Sequence, residues 1–367
     1  MTSEPVFVLF ACCLPVRGAR RSVLCDLQRQ SVQPIPNGLY EILTEHAGKS
    51  VAAIQDFYGH EYDAEIDEYF AFLLRHELGF FTHDPDRFPA IDLTWEAPER
   101  ITNAIVDVDE HSDHDYGKIF AELDDLGCKA LEVRCFHRGS LAELRAILEA
   151  SRFGRLRSID LLVGHAPELD PETLTALANA YRRVSSVIVH SSPESRRLPP
   201  LRTGVTVQYL RERIDSPRCC GQIHPRYFAP NLETFAEAQK HNTCLHRKIS
   251  VDARGEIKNC PSLARSFGNV REVSLHSALA ARDFTALWSI NKDQIAICKD
   301  CEFRYVCTDC RAYLSDASDL YSKPSKCTYD PYTAEWQPPA MAQTSTVPPS
   351  PGGPALPLAA GILEGGS

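Results

Sequence analysis

Nine of the chain's fourteen cysteines lie beyond residue 218, and they form a spaced array. Its densest part, residues 298–310, reads CKDCEFRYVCTDC. From Cys244 the array runs ten residues to Gly255 and four more to Cys260. After a gap of 37 residues comes Cys298-x2-Cys301-x5-Cys307-x2-Cys310, and sixteen residues later Cys327. Cys219 and Cys220 precede the array as a pair. A [4Fe–4S] cluster needs four thiolates converging on a cube, which short Cys-x-x-Cys loops plus distant cysteines can deliver. Cys220, Cys244, Cys260, Cys298, Cys301, Cys307, Cys310 and Cys327 would hold two such clusters. Two zinc ions could fill the same eight thiolates, although the five-residue spacing is unusual for zinc pairs. Unliganded thiols are the third reading. Gly255 falls where a tight hairpin turn needs positive φ.

The remaining composition narrows the class. The N-terminal MTSEPVFVLFACCLPVRGARRS has no basic region ahead of its short apolar run, so it does not read as a signal peptide and a cytoplasmic protein is expected. In a reducing compartment this many cysteines need a reason other than disulfides. Cys12, Cys13, Cys25, Cys128 and Cys135 sit in apolar or strand-like runs and read as core packing. No apolar run approaches the roughly eighteen residues of a membrane span. A net charge of −10 argues against nucleic-acid binding, which needs cations to replace phosphate counterions. In DVDEHSDHD, residues Asp107, Asp109, His111, Asp113 and His114 are plausible ligands. That loop lacks the central glycine and terminal glutamate of a calcium loop, and reads as an acidic connector. No nucleophile–base constellation or phosphate-cradling glycine loop stands out, so no catalytic residue is assigned.

An α/β chain in four parts must position the cysteines. Residues 1–92 open with strand-like VFVLFACC and RSVLCDLQ around the turn-like PVRGAR. Helices at NGLYEILTEHAG, SVAAIQDFYG and EIDEYFAFLLRHELGFF follow. In the last, Ile66, Tyr69, Phe70, Leu73, Leu74 and Leu78 mark one apolar face. Asn37 is placed to cap the first helix and Gly48 to end it. Together these make a small winged-helix-like unit, in which Arg17, Arg20 and Arg21 would attract an acidic peptide or form a solvated turn. Residues 100–215 alternate strands (ITNAIVDV, ALEVRC, SIDLLVG, SVIVHS, VTVQYL) with helices. One helix ends at Gly127, one starts with a Ser140/Glu143 capping box, and one is capped by Asp170 with Pro171 behind it. Five strands predict a parallel sheet forming a partial, open (β/α) barrel. Residues 216–336 are irregular, with a hairpin at KISVDARGEIKNC and a helix near SALAARDFTALWSI. Residues 337–367, rich in Pro, Ala, Ser and Gly, read as a disordered tail.

The seven cysteines from Cys244 onward resemble the signature of the SPASM domain, the C-terminal module of many radical SAM enzymes that modify peptides. Its pattern is Cys-x9-15-Gly-x4-Cys, gap, Cys-x2-Cys-x5-Cys-x3-Cys, gap, Cys. The chain departs from it once, with two residues instead of three before Cys310. The resemblance implies one cluster on Cys244, Cys260 and Cys310 with a fourth ligand, for which Cys220 is chosen and Cys219, His241 or His246 are alternatives. The other cluster would take Cys298, Cys301, Cys307 and Cys327. The Cys-x3-Cys-x2-Cys loop of radical SAM enzymes is missing, and DEHSDHDYGK stands where it belongs. S-adenosylmethionine is therefore not expected as a cofactor. From LYEIL through KHNTCLHRKISVDARGEIKNCPSL to KPSKCTYDPYTAEW the chain is similar to the SPASM-domain peptide maturases of grasp-with-spasm systems. That likeness implies a ribosomal precursor peptide and an ATP-grasp ligase as partners. It also implies that the N-terminal unit grips the precursor as an added strand. Whether the chain is itself an oxidoreductase, an accessory protein or a zinc-stabilised adaptor stays open at this point.

Overall fold

The computed structural model describes residues 4–199 and 204–337. The expected tail lies almost wholly outside these residues. In the N-terminal unit, strands β1 (Val6–Leu9), β2 (Cys13–Val16), β3 (Ser22–Asp26) and β4 (Ser31–Ile35) precede the helices. Two strands were expected there. The additional ones, β2 and β4, carry Pro15 and Pro34, and proline weakens a strand signal. Both flank β3 in the antiparallel order β2-β3-β4, where an edge strand tolerates the missing donor. Central β3 has no proline and is buried at all five positions.

Helices α1 (Asn37–Glu45), α2 (Val51–Phe57) and α3 (Asp63–Arg75) lead to β5 (Gly79–Thr82), which pairs antiparallel with β1. Leu39, Ile42, Ile54, Ile66, Phe70, Leu73 and Leu78 join Phe7, Leu24 and Ile35 in one core. Leu74 does not join them and stays exposed. Asn37 is not the cap of α1, whose N-cap is Pro36. Its side chain instead accepts from the Ser22 hydroxyl at 2.7 Å and donates to the Ala19 carbonyl at 3.3 Å, tying the helix to β3 and the turn before it.

The middle of the molecule is an open eight-stranded sheet. Its strands are β6 (Asn103–Val108), β7 (Ala130–Arg138), β8 (Ser158–Gly164), β9 (Val184–His190), β10 (Arg196–Arg197) and β11 (Thr206–Tyr209), joined by β12 (Lys248–Val251) and β13 (Ile257–Lys258). The order is β10-β11-β9-β8-β7-β6-β12-β13, parallel from β11 through β12. All five expected strands are present. The sixth parallel strand, β12, comes from the hairpin of the cysteine-rich segment. Helices α4 (Tyr116–Asp125), α5 (Leu141–Ala150) and α6 (Pro171–Ala180) connect the strands. Asp170 caps α6 by accepting from the Thr173 amide at 2.8 Å. The Ser140 capping box does not form. The side chain of Glu143 instead reaches His137 at 3.0 Å, and Glu168 takes the Leu141 amide at 2.7 Å.

Successive strand residues face opposite ways, so each strand divides its side chains. Ala104, Val106, Val108, Leu131, Val133, Cys135, Leu161, Val163, Val187, Val189, Ile249 and Val251 enter one core with the helices. The alternate positions carry Asp107, Glu132, Arg134, Asp160, Ser186, His190, Lys248 and Ser250. One face of the sheet is thus uniformly apolar, while the other, the more polar face, mixes these side chains with a smaller apolar cluster around Leu162, Ile188 and Phe136. The C-terminal part adds α7 (Leu232–Ala238), α8 (Leu275–Leu279), β14 (Tyr329–Asp330) and β15 (Glu335–Trp336). Within SALAARDFTALWSI the helix persists only to Leu279, and the rest is turns. No helix among the described residues is long and apolar enough to cross a membrane.

Candidate metal centres

The spaced cysteines gather into two groups. Cys220 follows a short 3-10 turn, Pro217–Cys219. Gly221 behind it has φ +82°, and a Cβ there would come within 2.9 Å of Cys310 Sγ, so the segment needs glycine on both counts. Cys244 and Cys260 flank the β12–β13 hairpin, whose turn residue Gly255 has φ +84° as its spacing predicts. Burial, and after it the charges of Cys244 and Cys220, raise Cys260 to about 12. Burial followed by Cys244 and Cys220 raises Cys310 to about 11. Cys220, Cys244, Cys260 and Cys310 therefore share one neighbourhood. Tyr313 closes it: its hydroxyl donates to the Pro217 carbonyl at 3.2 Å and lies 3.2 Å from Ser262 Oγ. Lys326 sits 4.0 Å above the Tyr313 ring and donates to the Cys220 carbonyl.

The second group is more local. The Cys301 amide donates to the Cys298 carbonyl at 3.0 Å and the Cys307 amide to the Phe303 carbonyl at 2.9 Å, which winds residues 298–307 into two tight turns. A parallel bridge to Ile223 brings Cys327 alongside. Burial raises Cys307 to about 12, with Cys327 and Cys298 adding to it and Lys292 opposing. Cys301 responds to Cys307 and Cys298 after its own burial and Glu302. The leading charges on Cys220, Cys260 and Cys310 include none from the second group, and those on Cys298, Cys301 and Cys307 include none from the first.

Two features bear on what such groups can hold. Four thiolates about 2.3 Å from one zinc lie about 3.8 Å apart. Among the described residues, neither group brings three ligand atoms within 4.8 Å of one another. The thiolates of a polynuclear cluster bind separate corners and need not lie that close. The second feature is charge. Burial alone would depress the Lys248 ammonium, but Cys244, Cys260 and Cys220 more than offset that and raise its pKa. It lies 3.6 Å from Cys244 Sγ. Lys292, 5% exposed, is likewise depressed by burial and then raised above its ordinary value, chiefly by Cys307. Asp309 already partners Lys292 at 3.3 Å, whereas Lys248 lies against thiols, where a thiolate-ligated cluster would supply the anionic charge. The residues present fit the group.

Between the two groups lies a buried polar node. Asp309 accepts from Asn242 Nδ2 at 2.6 Å, Arg311 at 2.8 Å and Lys292 Nζ at 3.3 Å. Burial would raise its pKa, but Lys292 and Arg311 hold the carboxyl below its usual range. Asn242 Oδ1 also accepts from the Cys244 amide at 3.1 Å, so one side chain braces both groups. The first group also meets the polar face of the sheet. Arg134 and Glu132 act on the Cys220 thiol, and Arg134 forms a two-pronged ion pair with Asp107 at 2.7 and 2.9 Å. Asp107 and Arg134 are register partners on adjacent strands. Their sequence signal is a charged residue at a period-two position in strands that otherwise read as apolar runs.

Other expected residues behave differently. Asp107 is engaged with Arg134, Asp113 pairs with Arg271, and Asp109 accepts from the His111 amide at 2.9 Å, so the acidic loop does not converge on a point. His241 and His246 stack on each other at 3.8 Å, with Trp95 and Trp288 packed edge-on against His246. Arg21 is no free cation. Its guanidinium donates to Glu302 Oε1 at 2.9 Å, and Tyr329 donates to the same oxygen. Glu302 is 0% exposed, next to Cys301. Arg17 pairs with Glu41 at 3.5 Å.

No known protein family and no curated protein matches the chain. Among solved structures it is similar to Streptococcus suis SuiB bound to S-adenosylmethionine, with TM-score 0.36, 9% identity and coverage of 89% of this chain and 99% of that one. A second SuiB crystal structure gives TM-score 0.36 at 8% identity. At that score the likeness carries no weight for fold, ligand or activity.

Proposed function

We propose that this chain is an iron–sulfur maturation protein for a ribosomally made peptide. It holds one [4Fe–4S] cluster on Cys220, Cys244, Cys260 and Cys310 and another on Cys298, Cys301, Cys307 and Cys327. The observation that carries this reading is the segregation of eight thiols into two groups of four, each beside a desolvated lysine. The clusters would supply electron storage or structural bracing, while Lys248, Lys292 and the Asp309 node set the charge around them.

In this reading the N-terminal unit takes up the precursor peptide. An apolar cavity of about 320 Å³, lined by Phe7, Phe10, Ile42, Leu43 and Phe88, offers side-chain pockets beside short strands. An ATP-grasp ligase acts on the same peptide. The loop after β6 supplies no thiolates, which favours an accessory or redox role over S-adenosylmethionine cleavage.

Anaerobic purification with iron, sulfide and zinc counts is the direct test. About eight iron and eight sulfide per chain are expected, with a broad visible absorption. Two zinc and no iron in those groups would replace the reading with a zinc-stabilised adaptor. Titrating a labelled candidate precursor peptide against the protein tests the partner. The peptide should bind, and Phe10→Asp, at an exposed wall of the cavity, should abolish that binding.

A further inference from the structure

A third cluster of ligand-type side chains lies outside both cysteine groups. Among the described residues, Cys12, Cys13 and Asp26 form the one set whose ligand atoms all lie within 4.8 Å of one another. Cys13 and Asp26 are only 2% and 3% exposed, while Cys12 is half-buried.

The backbone makes this juxtaposition. Neighbouring strand residues point to opposite faces, so two adjacent cysteines meet only where the chain turns. The Cys13 amide donates to the Phe10 carbonyl at 2.8 Å, closing a tight turn that ends as β2 begins. Cys13 is the register partner of Asp26 on β3, which sets a carboxylate opposite a thiol. The Leu27 amide donates to the Cys12 carbonyl at 2.9 Å and fixes the other side. Asp26 is itself oriented, because Oδ1 accepts from the amides of Gln28 and Arg29 at 3.0 and 2.8 Å, and Oδ2 from the Arg29 guanidinium at 3.2 Å. A ligating carboxylate held by such outer bonds is the usual arrangement around a bound metal. Gln28 Oε1, 3.7 Å from Cys12 Sγ, is a further oxygen donor at the rim.

We infer that Cys12, Cys13 and Asp26 form a mononuclear site for a zinc-like divalent cation, separate from the iron–sulfur groups. Two sulfurs and one oxygen are a three-residue zinc set with a fourth position left open. The spacing accommodates the roughly 3.8 Å between ligands of a tetrahedral ion, which the two larger groups do not. A bound cation would displace the thiol protons and join the two sulfurs to the Asp26 carboxylate, which Arg29 already neutralises in part. Cys13 also lines the apolar cavity of the N-terminal unit, so an ion there would stand in its wall.

The full chain, purified with zinc present and freed of loose metal, should carry one more zinc per chain than Cys12→Ala or Cys13→Ala, with iron unchanged. Cys128→Ala, which removes a buried thiol elsewhere, should leave the count alone. Asp26→Asn keeps both thiols and should weaken zinc affinity at least about tenfold in a competition titration with a coloured chelator. Because the readout is a difference of one ion, it stands whether the larger groups hold iron or zinc. Equal zinc counts in wild type and in Cys12→Ala would overturn the site. So would recovery of Cys12 and Cys13 as an adjacent disulfide without metal.

Discussion

The two cysteine groups differ in how they are assembled and in what they touch. Cys220, Cys244, Cys260 and Cys310 come from four separate segments and meet the polar face of the sheet, where Arg134 and Glu132 act on Cys220. Cys220 is exposed as a residue even though its thiol is desolvated. Two cysteines of each group are buried, Cys260 and Cys310 in the first and Cys298 and Cys307 in the second. The second group draws three members from ten residues and has no exposed member. Its loop is pinned to the N-terminal unit by Arg21 and Glu302. A centre assembled from distant segments against the sheet, with one exposed member, suits electron exchange. One wrapped in a local loop between two units suits bracing.

The largest expected effect separates these roles. Cys307→Ala should lower iron from about eight to about four per chain and lower the melting temperature by about 10 °C, because cluster binding is coupled to folding of the loop. Cys244→Ala should lose the same iron with a clearly smaller fall in melting temperature. Equal falls would erase the distinction between the centres.

Arg21→Ala should come next. It strands the buried Glu302 carboxylate and should cost about 2 kcal/mol in urea unfolding, less than for a fully enclosed pair because the guanidinium is partly exposed. Iron content at Cys220, Cys244, Cys260 and Cys310 should not change. Replacing both Arg21 and Glu302 by apolar residues should recover part of the loss.

Lys248→Met probes the sheet-facing centre alone. Removing a cation beside Cys244 should make that cluster harder to reduce, so one of two redox midpoints falls while the other holds. Lys292→Met should move the other midpoint. Movement of both by either substitution would show that the Asp309 node couples the centres.

The smallest effect is acid-linked. Burial, with His246 adding to it, lowers His241 to about 4. The unfolded chain takes up that proton near pH 6.5, and the folded chain only near 4. His241 therefore favours the folded state above about pH 6.5, and that contribution is lost as pH falls toward 4. In His241→Asn the difference in melting temperature between pH 7 and pH 5 should shrink.

The sequence made some of this visible and hid the rest. Short apolar runs alternating with helical stretches expose the five central strands, because a parallel sheet packed by crossover helices needs long apolar faces. Cysteine spacing exposes the eight thiols, because ligand geometry constrains short loops. Asn37 and Ser140 have the residue type of helix caps, but Asn37 finds partners in a distant segment and Ser140 makes no cap bond. Arg21 looks like a surface cation until Glu302, 281 positions away, is folded against it. Lys248 and Asp309 are likewise ordinary until burial gives their charges meaning. Local chemistry is readable along a chain, whereas compensation across it is not.

Strand β12 belongs by sequence to the cysteine-rich segment, yet it hydrogen-bonds to β6 as the outermost parallel member of the central sheet. Expressing residues 1–215 alone would bare the unsatisfied flank of β6 and leave a sticky, self-associating fragment. Grafting the C-terminal half elsewhere would carry off a strand with no home. Any engineered exchange of this module must therefore move β6 and β12 together.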